Sequence, residues 1–401
     1  MKQRILMLVT GILLSIGVLW CLNLKDPHLL PIRKSEYVLF LVFALFILGA
    51  AMGIRRRAIK AILVVCTITL VTTASVEELR FRQAREAIRA NLGEEYSTIN
   101  RRLIIGFNDK AEIKQLVAND IAGVFLTGHN IKGETRQSLT AFLAELQQIR
   151  AEHGLAPLIV TTDQEGGPVS RLSPLLPHQP ALATVQTDSE SSYLYGYKQG
   201  LGLRDIGVTV NFSPVVDLKP EGPPGALDFH SLIATRAISA APTEVVRVAK
   251  PYIQGLEAAG ITATLKHFPG LARVPNDTHH FSARLTTDKP TLLTSDWVPF
   301  IALSQASSSW LMLSHVILTA IDPDNPVSTS SLVVEGLIRS ELGITNPLVT
   351  DDLTMGATYN RGFCKSVFQS YSTDIDYLLI AYDYEKYYAA VECIQAHRKT
   401  Q

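Results

Sequence analysis

Long apolar runs dominate the first 76 residues of the chain. Residues 5–22, 37–54 and 61–76 contain no charged side chain. Each run is close to the roughly 17–25 residues that a helix needs to cross a bilayer. The pattern predicts a membrane region over residues 1–76 with three transmembrane helices, at about 5–22, 37–54 and 61–76. A cleaved signal peptide is the alternative for the first run, but no small-x-small cleavage site follows it and two further apolar runs do.

Basic residues set the expected orientation of this region. The densest cluster, Arg55, Arg56, Arg57 and Lys60, separates the second run from the third, and two more basic residues precede the first run. Because cytoplasmic loops are enriched in lysine and arginine, both segments are expected in the cytoplasm. Three crossings then place the chain beyond residue 77 outside the cytoplasm, so we predict an integral protein of the cell membrane with an extracytoplasmic main body. Two crossings would return that body to the cytoplasm.

A charged stretch follows the membrane region. Residues 77–100 favour a helix, and Ser75-Val76-Glu77-Glu78 has the spacing of a capping box, the side-chain arrangement that opens many helices. We therefore predict a connecting helix over residues 77–100, ahead of a folded domain at residues 101–401.

From residue 101 onward, short apolar runs alternate with longer amphipathic segments. Eight runs have the length and residue types of strands, at 103–107, 122–126, 157–162, 208–212, 261–265, 310–313, 347–350 and 377–381. Helical patterns include 135–153, 241–259 and 331–342. Eight strands alternating with helices predict an α/β fold, a parallel (β/α)8 TIM-like barrel. A doubly wound open sheet is the alternative, but it requires a glycine-rich phosphate turn after the first strand, which Ile105-Gly106-Phe107-Asn108 does not provide.

Composition narrows the function classes. The 401-residue chain has 37 basic and 37 acidic residues and a formal net charge of +0, so no nucleic-acid partner is expected. Its four cysteines lie far apart and form no C-x-x-C motif, which argues against a disulfide framework or a zinc site. We predict neither a cofactor nor a metal.

Polar and ionisable residues gather where the predicted strands end. The ends of strands three to seven carry Asp163-Gln164-Glu165 with Arg171, Asn211 with Asp217, Lys266-His267, Ser314-His315, and Asp351-Asp352. In a barrel of this type the carboxyl ends of all strands meet on one face, which carries the active site. Because charges are costly to bury without a partner, their convergence on this face predicts a functional site. The loop after strand five adds Asp277 and His279.

Five motifs in a fixed order carry a resemblance to a known family. They are Asp163-Gln164-Glu165-Gly166-Gly167-Pro168-Val169-Ser170-Arg171-Leu172, Asn211-Phe212-Ser213-Pro214-Val215-Val216-Asp217, Lys266-His267-Phe268-Pro269-Gly270 with Asp277-Thr278-His279, Ser314-His315-Val316, and Leu348-Val349-Thr350-Asp351-Asp352-Leu353-Thr354-Met355. Across about residues 101–385 the chain resembles glycoside hydrolase family 3, and within it the β-N-acetylglucosaminidases that act on peptidoglycan fragments. The membrane region lies outside the resemblance.

The resemblance implies a role for each matching residue. The nucleophile would be Asp351, and the acid/base would be His279, paired with Asp277. The sugar would be bound by Asp163, Arg171, Arg236, Lys266 and His267. His315 could touch the substrate or support Asp351. The implied activity is hydrolysis, with retention, of terminal non-reducing β-linked N-acetylglucosamine from peptidoglycan-derived or related glycans, through a glycosyl-enzyme on the nucleophile.

Three departures from the family pattern affect the sugar pocket. Leu271-Ala272 replaces the usual His-Gly after Gly270, Pro168 stands where arginine is usual, and residues 372–376 lack the expected Ala-Gly pair. The context of Arg236 also lacks the usual Ser-Phe-Gly. Two alternatives therefore stay open: a family-3 β-glycosidase of other specificity, and a non-catalytic membrane-tethered glycan-binding protein.

Overall fold

The computed structural model describes residues 2–24, 26–33, 35–90, 93–185, 188–222 and 232–399. The chain divides into two compact units, Met1–Ala90 and Asn91–Gln401. The first unit contains the predicted membrane region, and the second contains the predicted barrel.

Three long helices form the first unit. Helix α1 spans Lys2–Leu22, α2 spans Glu36–Met52 and α3 spans Arg57–Ala90, and each packs against the other two. A 3-10 helix at Pro27–Ile32 precedes α2. Helices α1 and α3 are long and apolar enough to cross a membrane, whereas α2 is apolar but has 17 residues. By length and composition alone, these helices are weak evidence for membrane anchoring or, for α1, for a signal sequence.

The predicted start of the connecting helix is wrong. Helix α3 runs through Ser75 and on to Ala90, and the Ser75 hydroxyl donates to the Val71 carbonyl oxygen at 2.7 Å. Ser75 therefore lies inside the helix and forms no capping box, because the preceding helical turn already satisfies the backbone N–H groups around it. Residues 91–92 of the predicted connecting segment lie outside the described residues, and α4 then covers Glu94–Asn100.

Eight parallel strands form a nearly closed barrel in the second unit. The described residues form twelve strands: β1 Leu103–Ile105, β2 Gly123–Leu126, β3 Ile159–Thr162, β4 Gln164–Gly166, β5 Val169–Ser170, β6 Val210–Asn211, β7 Thr264–Phe268, β8 Ala283–Leu285, β9 Trp310–Leu313, β10 Val316–Leu318, β11 Leu348–Asp352 and β12 Tyr377–Ile380. Eight of them pair in the order β6-β3-β2-β1-β12-β11-β9-β7. Parallel bridges from Val210 to Thr262 and from Val215 to Lys266 join the two outer strands. The eight predicted strands are thus confirmed, and the open doubly wound sheet is excluded.

Helices alternate with these strands. The remaining α-helices are α5 Lys110–Ala118, α6 Arg136–Glu152, α7 Ser189–Ile206, α8 Ile233–Arg236, α9 Pro242–Ala258, α10 Lys289–Thr294, α11 Val298–Ala306, α12 Gly356–Tyr359, α13 Phe363–Tyr371 and α14 Lys386–Arg398. Two predicted helical patterns, 135–153 and 241–259, match α6 and α9. The third, 331–342, forms a π-helix at Leu332–Glu341. Short 3-10 helices cover Leu182–Thr184 and Val327–Thr329.

Apolar side chains from the barrel strands form one core cluster. It includes Ile104, Phe125, Trp310, Val349 and Leu379, all of which are buried. Burying side chains of this size stabilises the fold by about 1.5–3 kcal/mol each. Because side chains fill the inside of such a barrel, polar chemistry is confined to its mouth.

One disulfide corrects the expectation drawn from the cysteine spacing. Cys364 of α13 and Cys393 of α14 are bonded, with their Cα atoms 5.2 Å apart. The two cysteines are 29 residues apart in sequence, and they meet because α13 and α14 pack side by side. Spacing along the chain could not reveal this contact, because it depends on how two separate helices pack.

Candidate active site

The predicted site residues lie at the carboxyl ends of the barrel strands. Lys266 and His267 fall inside β7, and Asp351 falls inside β11, so both strands extend further than the sequence predicted. The Lys266 carbonyl oxygen accepts a hydrogen bond of 2.9 Å from the backbone N–H of Val216. Functional side chains on strands are held more rigidly than side chains on loops.

Asp351 lies near the carboxyl end of β11. One of its oxygens accepts a hydrogen bond of 2.8 Å from the backbone N–H of Asp352. Burial works to raise the pKa of Asp351, but the nearby imidazoles of His267, His315 and His279 outweigh burial and hold the pKa below its ordinary value. The group is therefore ionised at neutral pH, as a nucleophile must be.

Its neighbour Asp352 has a structural role. The Asp352 carboxylate accepts hydrogen bonds from the backbone N–H and hydroxyl of Thr354, at 3.0 and 2.8 Å, and from the backbone N–H groups of Ala381 and Tyr382, at 3.1 and 3.2 Å. Burial raises its pKa in spite of these bonds. Asp352 thus ties the end of β11 to the end of β12.

The loop after β7 brings Asp277 and His279 together as predicted. Nδ1 of His279 donates to a carboxylate oxygen of Asp277 at 2.6 Å, and the His279 backbone N–H donates to the same oxygen at 2.9 Å. Asp277 is buried, whereas the His279 side chain is 42% exposed. Burial works to lower the pKa of His279, but the hydrogen bond to Asp277 and the charge of Asp351 raise it above the ordinary value. Solvent at the exposed edge of the ring limits the strength of these charge interactions.

Buried cations and carboxylates form a network near the carboxyl ends of β3 and β7. The Lys266 ammonium lies 2.6 Å from both Asp163 and Glu165. The guanidinium of Arg236, a residue of α8, donates two hydrogen bonds to the Glu165 carboxylate, at 2.9 and 2.7 Å. Burial alone would raise the pKa of Glu165, but Arg236 and Lys266 lower it from 4.5 to about 2. Glu165 therefore orients two of the predicted sugar-binding residues, Arg236 and Lys266.

His267 is held in place by a buried aspartate. Asp217 accepts hydrogen bonds from Nδ1 of His267 at 2.7 Å, from the His267 backbone N–H at 3.0 Å and from the Leu271 backbone N–H at 2.9 Å. Asp217 therefore fixes both the side chain of His267 and the start of the loop after β7. The ring of His267 is thereby oriented through one nitrogen.

Both ring nitrogens of His315 make hydrogen bonds within the protein. Nδ1 lies 2.7 Å from the Ser328 hydroxyl, and Nε2 lies 2.9 Å from the Asp352 carbonyl oxygen. Because a carbonyl only accepts, Nε2 carries the proton. Burial lowers the pKa of His315, although the charge of Asp351 opposes it. This geometry favours the supporting role over substrate contact, and both roles stay predictions.

A hairpin positions Arg171 at the mouth. Strands β4 and β5 pair antiparallel, and Gly166 at the end of β4 has φ +93°, a conformation that suits glycine. The Arg171 backbone N–H donates to the Asp163 carbonyl oxygen at 3.1 Å. The Arg171 Nε atom is buried without a hydrogen-bond partner among the described residues. A buried donor of this kind suits a ligand oxygen.

Tyr382 is a residue of this face that the sequence reasoning missed. It follows β12, and the Arg171 guanidinium carbon lies 5.7 Å from the centre of its ring. Burial raises the pKa of its hydroxyl, which stays protonated. The available signal was an aromatic residue just after strand eight, whereas the predicted site consists of charged residues and histidines.

The site thus combines an ionised carboxylate, a histidine–aspartate pair and buried cations. Among the described residues, no group of three or more His, Cys, Asp or Glu side chains could hold a metal ion. The groups present suit displacement at an electrophilic carbon with proton transfer to the leaving group. Fold and site together define a class of protein, the hydrolases that combine a (β/α)8 barrel with acid–base chemistry. Glycosidases belong to this class.

Comparison with known proteins identifies the family. The model of the glycosyl hydrolase family 3 N terminal domain matches residues 91–400. A β-hexosaminidase from Xanthomonas campestris pv. campestris is 33% identical over 250 residues, covering 60% of this chain and 71% of the relative. A β-hexosaminidase from Nitrosomonas eutropha is 32% identical over 250 residues, covering 60% of this chain and 68% of the relative. The chain belongs to glycosyl hydrolase family 3 and is a glycoside hydrolase.

Solved structures of the family share the fold. A family 3 β-N-acetylglucosaminidase from Paenibacillus sp. superposes with a TM-score of 0.69 at 28% identity, over 76% of this chain. The present chain spans 58% of the length of that protein. A family 3 glycosyl hydrolase from Mycobacterium smegmatis gives a TM-score of 0.67 at 27% identity, over 78% of this chain and 92% of that one.

Proposed function

We propose that the protein is a retaining exo-glycosidase. It removes terminal non-reducing β-linked N-acetylglucosamine from peptidoglycan-derived or related glycans, through a glycosyl-enzyme on Asp351. The observation that carries the proposal is the pairing of an ionised Asp351 with a His279–Asp277 acid/base whose pKa is raised. The named β-hexosaminidases and the β-N-acetylglucosaminidase support the choice of sugar.

In the first step, a carboxylate oxygen of Asp351 attacks the anomeric carbon of the sugar. The bond from that carbon to the glycosidic oxygen breaks, and His279 gives its Nε2 proton to the departing oxygen. Nδ1 of His279 stays directed at Asp277, which fixes the ring and favours the protonated form. The products are the free aglycone and a glycosyl ester on Asp351.

In the second step, water releases the sugar. Neutral His279 takes a proton from a water molecule, whose oxygen attacks the anomeric carbon while the ester bond to Asp351 breaks. Two displacements restore the original β configuration, and both Asp351 and His279 return to their starting states. A raised pKa lets the imidazole alternate between acid and base near neutral pH.

The buried cations provide the sugar-binding part of the proposal. Asp163, Arg171 and Lys266 surround the mouth with donors and acceptors suited to hydroxyl groups. Arg236 and His267 complete the proposed set, each oriented by one buried carboxylate. The Leu271 backbone N–H donates to Asp217, which also holds His267. Leu271-Ala272 is therefore the first candidate for a change in sugar specificity.

In this proposal the protein is anchored in the membrane and its barrel lies outside the cytoplasm. The three apolar runs and the basic cluster at residues 55–60 support that orientation by the charge rule. The Cys364–Cys393 disulfide gives independent support, because disulfides form and persist mainly in oxidising compartments.

A turnover assay with matched substrates tests the activity. The wild-type chain is expected to release phenol from an aryl β-N-acetylglucosaminide faster than from the matching aryl β-glucoside, with the β-anomer of the sugar as first product. Preference for the glucoside would indicate a family-3 enzyme of other specificity. Release of no phenol from either substrate would favour a glycan-binding protein without turnover.

A further inference from the structure

The acid/base loop rests on the segment that follows the nucleophile strand. We call residues 353–358, between Asp352 and the middle of α12, the docking segment. The backbone N–H of Gly356 donates to the His279 carbonyl oxygen at 2.8 Å, and the N–H of Ala357 donates to the Thr278 carbonyl oxygen at 3.1 Å. Beyond the segment, the Asn360 amide donates to the His280 carbonyl oxygen at 3.2 Å. Three consecutive carbonyl groups of the loop are therefore held from one side.

The contact at Gly356 leaves no space for a side chain. A Cβ atom there would lie 2.5 Å from the carbonyl oxygen of His280, 2.7 Å from its carbonyl carbon and 2.8 Å from its Cα. All three are backbone atoms, so no rotation of a side chain can relieve the clash. Glycine is needed here for close approach of two backbones.

The docking segment is itself fixed to β11. The Asp352 carboxylate accepts two hydrogen bonds from Thr354. The Thr358 hydroxyl donates to the carbonyl oxygens of Leu353 and Met355, at 2.8 and 2.9 Å. The docking segment thus holds the loop at a fixed position relative to β11 and to Asp351.

We infer that Gly356 is a positioning residue, which sets the distance between the His279 acid/base and the Asp351 nucleophile by letting the loop dock on the segment after β11. The role of His279 in this inference rests on the proposed function, but the docking itself does not. Gly356 touches no reacting atom, and it acts only through the backbone of residues 278–280.

Misplacing the loop should impair the acid step more than the attack by Asp351. A poor leaving group needs a proton from His279, whereas a dinitrophenolate leaves without one. Displacements of about 1 Å can cost about 100-fold in rate. Gly356→Ala is therefore expected to lower kcat/KM by about 100-fold for an alkyl β-N-acetylglucosaminide and much less for the dinitrophenyl glycoside.

The experiment compares Gly356→Ala with Gly336→Ala in the full-length protein. Gly336 lies in the π-helix, and a Cβ atom there would meet no atom within 4 Å, so this variant controls for adding a methyl group. Asn360→Ala is a milder second variant, because it removes one hydrogen bond without a clash. Its expected loss with the alkyl glycoside is about 2- to 10-fold.

Hydrogen–deuterium exchange of the peptide covering residues 276–282 is measured alongside the rates. The inference expects faster exchange of that peptide in Gly356→Ala and Asn360→Ala, and unchanged exchange in Gly336→Ala. Unchanged exchange in both test variants overturns it, as does an equal loss of kcat/KM for both leaving groups in folded variants. If the wild type shows no turnover while the three variants show the expected exchange, the proposed function is contradicted and the docking inference remains supported.

Discussion

Replacing Glu165 by glutamine removes the carboxylate at the centre of the buried cation network. Glu165 accepts two hydrogen bonds from Arg236 and lies 2.6 Å from the Lys266 ammonium, and all three side chains are at most 9% exposed. Removing one partner from a buried ion pair costs about 3–5 kcal/mol, because the other charge is left uncompensated. The lowering of the Glu165 pKa from 4.5 to about 2 corresponds to roughly 3 kcal/mol. Asp163 still pairs with Lys266, so we expect a loss of about 3 kcal/mol.

The pH dependence of that loss follows from the sign of the pKa shift. Because the folded-state pKa of Glu165 lies below its unfolded value, its stabilisation is present above about pH 4.5 and is lost as the pH falls through about 2. The difference in stability between wild type and Glu165→Gln should therefore be complete at pH 7 and shrink between pH 4.5 and 2.

Denaturant unfolding of the full-length protein in detergent measures this difference. The matched control is Glu244→Gln, whose partner Arg247 is 43% exposed and whose own side chain is 34% exposed. An exposed pair of this kind contributes little to stability, because solvent screens it. The reasoning would be refuted if Glu165→Gln were no less stable than Glu244→Gln at pH 7, or if its deficit did not shrink in acid.

Two further predictions concern the acid/base pair and the topology. Asp277→Asn keeps an acceptor oxygen for the His279 ring but removes the negative charge that helps to raise the pKa of His279, so the alkaline limb of the kcat/KM profile for an alkyl glycoside should move to lower pH. An unmoved limb would show that Asp277 does not tune the acid. Reporter fusions after residues 30, 57 and 95 should give an extracytoplasmic signal at 30 and 95 and a cytoplasmic signal at 57. A cytoplasmic reporter signal at 95 contradicts the proposed topology. The thiols of Cys364 and Cys393 should be labelled only after reduction.

The barrel could be predicted because its signals are local. Each strand is a short apolar run, and the amphipathic patterns of helices α6 and α9 begin and end within one residue of the observed helices. The polar ends of strands three to seven were visible for the same reason. The sequence pattern predicts ends of β7 and β11 that are too early, because Lys266 and Asp351 are polar and yet keep strand geometry.

Contacts between distant segments could not be predicted from one sequence. The pairing of Arg236 with Glu165 spans 71 residues, and the disulfide depends on helix packing. The need for glycine at position 356 arises from the backbone of His280, which is 76 residues earlier in the chain. Local pattern predicts which residues carry the chemistry, whereas tertiary packing decides which residues hold them in place.

The most direct test of the proposed mechanism is the release of phenol from an aryl β-N-acetylglucosaminide by wild type and Asp351→Asn. The substitution keeps the shape of the side chain and removes the charge that attacks the anomeric carbon. We predict turnover by the wild type and a loss of about a thousandfold or more in Asp351→Asn with unfolding unchanged. Equal rates for the two proteins would contradict the assignment of Asp351 as the nucleophile.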